Sequence, residues 1–346
     1  MKNAPFLKNI LKFSLFLGLG IFITWWFIKD LDAEYRGLIL ESFRNANYSF
    51  VGIALIFGVV SFWIRAKRWK MQLQPMNYFP KTKNVLMAVM VGYFANLAFP
   101  RLGEVARCGL LDKHENIPTA KSIGTVITER AVDMLCFLIL LFVTLAVEFE
   151  HLSGFAMENF SGLYEKISNP EFIRRLVFVT SLIILAFGFF VFFLRKKIAH
   201  MRVYRKVKIL ILYFWQGLIS LKHMKKRWLF ILYTIGLWIC YYLMAYIVFF
   251  AVSETSNLPM SAGLACMVFG TIGIVVTPGG IGLYPVIIAN TLLLYGIAEP
   301  IGFALGWLIW TSQNMIVVIG GLLALVLMPI INRKDARPCV STKNQK

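Results

Sequence analysis

Residues 122–147 read SIGTVITERAVDMLCFLILLFVTLAV. A bilayer core takes about 20 apolar residues in a helix, so this run is long enough to cross one. Its first third nevertheless holds Glu129, Arg130 and Asp133. Glu129 and Asp133 are four residues apart, so a helix sets them on one face with Arg130 adjacent around the turn. A charge at the bilayer centre costs at least about 2.5–3.5 kcal/mol on insertion scales, and such groups need partners or a wet cavity. This one stretch predicts an all-α polytopic membrane fold and marks where its chemistry sits.

Comparable runs recur at 11–28, 48–64, 177–194, 228–252 and 302–331. The whole chain agrees: 59% of its 346 residues are apolar, more than a globular protein uses. The first run follows Lys2, Lys8 and Lys12 and ends in Trp25-Trp26-Phe27-Ile28. A cleaved signal peptide would end in small residues, so this aromatic anchor predicts an uncleaved first span. Residues 209–221 are too short to cross and lie between basic segments, which predicts a helix lying at the membrane interface.

The formal charge is +19, from 36 Lys and Arg against 17 Asp and Glu. The bases lie between apolar runs, so positive-inside topology explains them and nucleic acid is not a partner. The N-terminal tail, 65–83, 195–208, 222–227 and the tail from Arg333 are basic. Residues 29–44 are mixed, 148–171 mostly acidic, and 253–261 carry only Glu254. These signs alternate in a way that six full spans satisfy, with both termini cytoplasmic.

Two apolar stretches must then enter and leave on the same side: 84–121 from within and 262–297 from without. Each is interrupted, at Pro100-Arg101-Leu102-Gly103 and at Pro278-Gly279-Gly280-Ile281-Gly282. They read as hairpins broken by Pro and Gly, either re-entrant or built from two short spanning helices. Irregular backbone at membrane depth is tolerated only where protein buries it or it lines a cavity. The order span, span, broken hairpin, span then occurs twice with opposite orientation. Residues 1–346 thus read as one integral membrane domain with inverted halves 10–147 and 172–331.

The window from Gly92 to Arg107 supplies partners for the intramembrane charges. Arg101, Glu104 and Arg107 lie beyond the break, within reach of Glu129, Arg130 and Asp133. Arginine carries a permanently charged planar fork that matches phosphate oxygens, so a lipid phosphate is one occupant this set fits. A ligand-free ion-pair network locking the hairpin to the span is the other reading. Thr311-Ser312-Gln313-Asn314 in the last span reads first as interhelical glue. The glycine window lacks the Gly-Lys-Ser/Thr of a nucleotide loop. The cysteines never form a C-x-x-C pair, and His114-Glu115 lacks a second histidine, so neither a metal site nor a cofactor is indicated. Hydrolytic triads and dinucleotide fingerprints are missing too, and no catalytic residue is assigned.

Asn96, Pro100-Arg101-Leu102-Gly103-Glu104 with Arg107, Glu129-Arg130-x-x-Asp133, and Pro278-Gly279-Gly280-Ile281-Gly282 together resemble a flippase-like membrane family. That family includes the transmembrane region of lysylphosphatidylglycerol synthases, and the resemblance runs over about residues 10–330. In many members an acidic residue closely follows the glycine motif; here Tyr284-Pro285 stands in its place. In the bifunctional synthases the membrane part moves aminoacylated phospholipid between leaflets, and a separate soluble domain makes it. The resemblance implies a stand-alone membrane part, in a bacterial plasma membrane, that does not itself aminoacylate lipid.

The expected activity is binding and translocation of a phospholipid or a lipid-linked anionic headgroup. Asn96, Arg101, Glu104, Arg107, Glu129, Arg130 and Asp133 form the headgroup site. Pro100, Gly103, Pro278, Gly279, Gly280 and Gly282 shape the hairpins. A homo-oligomer or a separate soluble partner enzyme is compatible with this. The alternatives are a membrane-embedded transferase with Glu104 or Asp133 as base, and a non-catalytic lipid-binding scaffold.

Overall fold

A computed structural model describes residues 32–98, 102–149 and 226–332, together with Met224 and a few positions between Gly18 and Lys29. The expected spans 11–28 (most of it) and 177–194, the interfacial stretch 209–221, and Pro100 and Arg101 lie outside the described residues. Within them the structure is all-helical. We number the helices α1 (Ala33–Asn45), α2 (Tyr48–Leu73), α3 (Thr82–Ala98), α4 (Leu102–Glu115), α5 (Thr119–Val147), α6 (Arg227–Tyr246), α7 (Met260–Val276), α8 (Leu283–Leu293) and α9 (Glu299–Asn332).

Among the described residues, four helical segments are long and apolar enough to cross a membrane: Tyr48–Met76, Thr119–Val147, Arg227–Ala251 and Glu299–Asn332. Each coincides with an expected span. Large apolar side chains stay exposed along them, including Phe142, Leu232, Val326 and Ile330. That is the pattern of helices solvated by lipid rather than by water.

One boundary differs from the sequence reading in a way that matters. The second span was expected to end at residue 64, before a basic loop, yet α2 continues unbroken to Leu73. Arg65, Arg68 and Gln72 are all buried on this extension, as is Ser61 one turn before it. Their spacing of four, three and four residues places them on one helical face, turned inward. Lys67 and Lys70 alternate with them on the outer side.

The two interrupted stretches form helical hairpins, α3–α4 and α7–α8. Both ends of the first hairpin lie at one end of the molecule: Asn84 at its start donates to Glu115 at its finish and, at 2.9 Å, to Oδ1 of Asn332 at the end of α9. Both ends of the second lie at the other end of the molecule. Tyr246, at the far end of α6, donates at 3.2 Å to the Leu258 carbonyl just before α7.

α3 and α4 meet backbone to backbone at Gly92 and Gly103. A Cβ on Gly103 would overlap the Gly92 carbonyl, so no larger residue fits this crossing. Asn96 Oδ1 accepts the Gly103 N–H at 2.8 Å, satisfying one of the donors left free at the start of α4. The second break needs glycine for a different reason. Gly279, Gly280 and Gly282 have φ of 65°, 77° and 76°, the left-handed region that side chains disfavour.

The hairpin tips meet. Leu97, near the end of α3, lies against Gly279 of the opposite break. Trp310 of α9 donates its indole N–H to the Gly279 carbonyl at 2.7 Å, fixing the turn to the last span. The apolar core runs through α2, α3, α6 and α9 on one side and α6 to α9 on the other.

Candidate functional site

Glu129 is the centre of the polar interior. It is 0% exposed and sits on α5, where apolar residues surround it in sequence. Its Oε1 lies 2.7 Å from Arg65 Nη1 and 3.2 Å from Arg68 Nη2, both on α2. Its Oε2 lies 3.0 Å from Arg107 Nη2 on α4. One turn on, Asp133 meets the same two α2 arginines, at 3.2 Å from Arg65 Nη1 and 2.6 Å from Arg68 Nη2. Two carboxylates on one face of α5 thus clamp two arginines on one face of α2. Buried charges persist in this way only when they are paired and hydrogen-bonded.

Aromatic and hydroxyl groups complete the enclosure. Arg65 Nη2 donates to the Tyr241 hydroxyl of α6, and its guanidinium lies 5.0 Å from the centre of the Tyr93 ring. Arg107 lies 4.6 Å from the centre of the Trp69 ring, whose indole donates to Thr125 Oγ1 at 2.9 Å. Arg68 reaches Thr234 Oγ1 at 3.5 Å. Faces of aromatic rings attract cations, so the arginines are held without exposing them to lipid.

Arg130 differs from the other three arginines. Its side chain is 40% exposed, and its nearest carboxylates are distant: Glu104 Oε1 at 3.7 Å and Glu129 Oε1 at 3.9 Å. Its firmest contact is the 2.9 Å hydrogen bond from Nη2 to the Tyr93 hydroxyl. Glu104 is itself 36% exposed. Among the described residues four arginines therefore face three carboxylates, and the least committed arginine stands at the accessible edge. Several buried polar atoms remain without a hydrogen bond, among them Arg107 Nε and Nη1 and the nitrogen and oxygen of the Gln72 amide.

Of the residues expected at the site, Glu104, Arg107, Glu129, Arg130 and Asp133 come together. Asn96 closes the α3–α4 hairpin through the Gly103 amide, next to Glu104. Arg101 lies outside the described residues. Arg65 and Arg68, with Tyr93 and Tyr241, belong to the network and were not expected there. Their signal was the polar stripe Ser61, Arg65, Arg68 and Gln72, which the general rule for basic loops obscured.

The last-span polar group acts mainly within its own helix. Ser312 Oγ donates to the Ile309 carbonyl and Asn314 Nδ2 to that of Trp310. Gln313 stands beside the buried Tyr284 of α8. Among the described residues no group of three or more His, Cys, Asp or Glu is placed to hold a metal ion.

Comparison with known proteins converges on one family. Residues 9–321 match the family model described as the lysylphosphatidylglycerol synthase TM region. Over 123 residues the chain is 32% identical to UPF0104 membrane protein MJ1595 of Methanocaldococcus jannaschii. That segment is 34% of this chain and 36% of the relative, so the match spans about a third of the length of that curated protein. No solved structure matches the chain.

Proposed function

This chain belongs to the family of lysylphosphatidylglycerol synthase transmembrane regions, and from that membership we propose that it binds an anionic lipid headgroup and moves it between leaflets. The observation that carries the reading is the surplus positive charge at Arg130. A phosphodiester headgroup bears one negative charge, and the network has one arginine more than it has carboxylates. Arg130 offers its fork to the outside, and Glu104 beside it can swing away or accept a headgroup amine. Arg65, Arg68, Glu129 and Asp133 form the rigid floor that keeps Arg130 in place.

The hairpins supply the second half of the reading. Two broken hairpins meeting tip to tip, entering from opposite ends, are what an inverted repeat of 10–147 and 172–331 would build. Separating Leu97 from Gly279 would open a path between leaflets beside the charged floor. The chain would reside in a bacterial plasma membrane with both termini cytoplasmic, acting alone, as a homo-oligomer or with a soluble enzyme that supplies its lipid. The transferase alternative fits less well, because both oxygens of Asp133 are already taken up by Arg65 and Arg68.

The test is leaflet exchange of labelled anionic, aminoacylated and zwitterionic phospholipids in liposomes containing the purified protein. Arg130→Ala should slow protein-dependent exchange roughly tenfold or more, the loss expected for a charge-assisted contact. Exchange at the wild-type rate in a folded Arg130→Ala protein would place the headgroup elsewhere. Absence of exchange for every lipid would remove the transport reading.

A further inference from the structure

The outer hairpin, α7–α8, is held differently in its body and at its tip. Its body is packed backbone to backbone. A Cβ on Gly302 of α9 would lie 2.9 Å from Ala289 Cα, and one on Gly306 would lie 2.7 Å from Pro285 Cα, both on α8. α7 rests on α8 in the same manner: Gly270 seats the Tyr284 ring, and a Cβ on Gly273 would lie 3.3 Å from Tyr284 Cα. Farther along α9, a Cβ on Gly321 would overlap Phe94 of α3. Elements interlocked this closely do not slide past one another without losing contact along the seam.

The tip is built otherwise. Residues 277–282 join α7 to α8 through the short turn Pro278–Gly280, followed by Ile281 and Gly282. Three of its last four residues are the left-handed glycines 279, 280 and 282. Glycine adopts either sign of φ about equally well, so this link can rearrange while the helices beside it stay in place. From outside the hairpin, Leu97 of α3 and Trp310 of α9 hold it. Leu97 Cδ2 lies 2.8 Å from where a Gly279 Cβ would stand, and the Trp310 indole donates to the Gly279 carbonyl at 2.7 Å.

Trp310 itself does not share that freedom. It stands one turn beyond Gly306 and before Gly321, on the stretch of α9 between the seats of the two hairpins. Its ring is set edge-on against Trp307, with centroids 5.2 Å apart. The donor is therefore fixed and the acceptor lies on the part that can move. A single hydrogen bond of this kind shifts an equilibrium by about five-fold, enough to favour one state without locking it.

We propose that residues 277–282 are the gate of the transport path and that the Trp310 indole is its latch. This rests on the transport reading and names the part that moves. In the closed state described above, the Gly279 carbonyl is bound to Trp310 and the turn abuts Leu97. On opening, the glycines change φ, the N–H···O=C bond breaks, and water takes over both of its halves. α7, α8 and α9 keep their packing throughout. Loss of the indole donor thus penalises the closed state alone.

The experiment uses the full chain in liposomes and has two readouts. The first is the reaction rate of Leu97→Cys with a membrane-permeant maleimide, above the labelling of the native cysteines. Adding Trp310→Phe, which keeps a ring against Trp307 but removes the donor, should speed that reaction about five-fold. Equal rates with and without Trp310→Phe overturn the latch. The second readout is leaflet exchange of a labelled anionic phospholipid, which Trp310→Phe alone should accelerate several-fold. Exchange at or below the wild-type rate in the folded variant overturns the gate. If Trp310→Phe fails to fold, Leu97→Ala replaces it: removing the side chain that abuts Gly279 should also accelerate exchange, and an unchanged rate overturns the proposal. Absence of exchange in wild type and variants alike defeats the transport reading, and with it the gate, while the labelling rates still judge whether Trp310 holds the turn shut.

Discussion

Glu129 and Glu148 lie on the same helix and are hidden from solvent to nearly the same degree, yet they are opposite kinds of buried acid. Glu129 is met by three arginines within 3.2 Å, drawn from α2 and α4. Glu148 is met by a phenol, a thiol and the end of its own helix. Burial alone therefore does not decide what a membrane carboxylate does. What decides it is whether the neighbouring helices bring permanent charge or only neutral groups. The first acid is fixed as an anion and works as structure for the arginines around it. The second, among the described residues, has only a phenol and a thiol beside it and anchors no ion-pair network.

Removing the charge at each position separates the two cases most sharply. Glu129→Gln would leave Arg65, Arg68 and Arg107 buried around a neutral amide, with only Asp133 to answer them. Breaking a buried ion pair from one side costs about 3–5 kcal/mol, so this variant should lose most of its thermal stability in detergent or fail to fold. A melting temperature close to that of wild type would mean that the arginines are not held by Glu129. Arg65→Lys keeps the charge but loses the planar fork that reaches Glu129, Asp133 and Tyr241 together. Two charge-assisted bonds cannot be made at once by one ammonium in that geometry, and the expected loss is about 1.5–3 kcal/mol, read by the same melt.

Tyr93→Phe tests the accessible edge of the network. It removes the hydroxyl that accepts from Arg130 while keeping the ring beneath Arg65. Stability should fall by about 1 kcal/mol, and headgroup exchange should fall further than stability does, because Arg130 loses its firmest contact. A melt unchanged together with exchange unchanged would remove Tyr93 from the site. The smallest effect belongs to Glu148→Gln. Glutamine keeps the size of the side chain and breaks no ion pair among the described residues, so the melt should move by less than about 0.5 kcal/mol. A destabilisation comparable to that of Glu129→Gln would erase the contrast between the two acids.

Much of this architecture was legible in the sequence because hydrophobicity within a membrane is a strong local signal. Four expected spans coincide with long apolar helices, and both broken stretches form hairpins at their Pro and Gly interruptions. Glu129 and Asp133 stood out because charge inside an apolar run has no bland local explanation. Arg65 and Arg68 were hidden for the opposite reason: bases at the end of a span are what topology alone would place there. Only the four-three-four spacing with Ser61 and Gln72 carried the information that they turn inward. The burial of Glu148 was not legible, since it depends on α7 and on the turn after α8, more than a hundred residues away in the chain. Asn96 stood out only by its place in a motif, and the partner it finds, the Gly103 amide, lies across a break that local sequence does not close.

The closed character of the Glu129 network also constrains how this chain can change over generations. Its central members each answer more than one partner: Arg65 and Arg68 both meet both acids, and Glu129 is shared by helices α2 and α4. A single substitution therefore unbalances the whole set rather than one pair, and the intermediate is a poorly folded protein. Loss of Glu129 should survive only when an arginine is lost with it, and gain of a fifth cation only beside a new acid. Descendants of this sequence should thus keep or exchange these positions as a block, while Glu148, which meets no countercharge among the described residues, drifts independently of them.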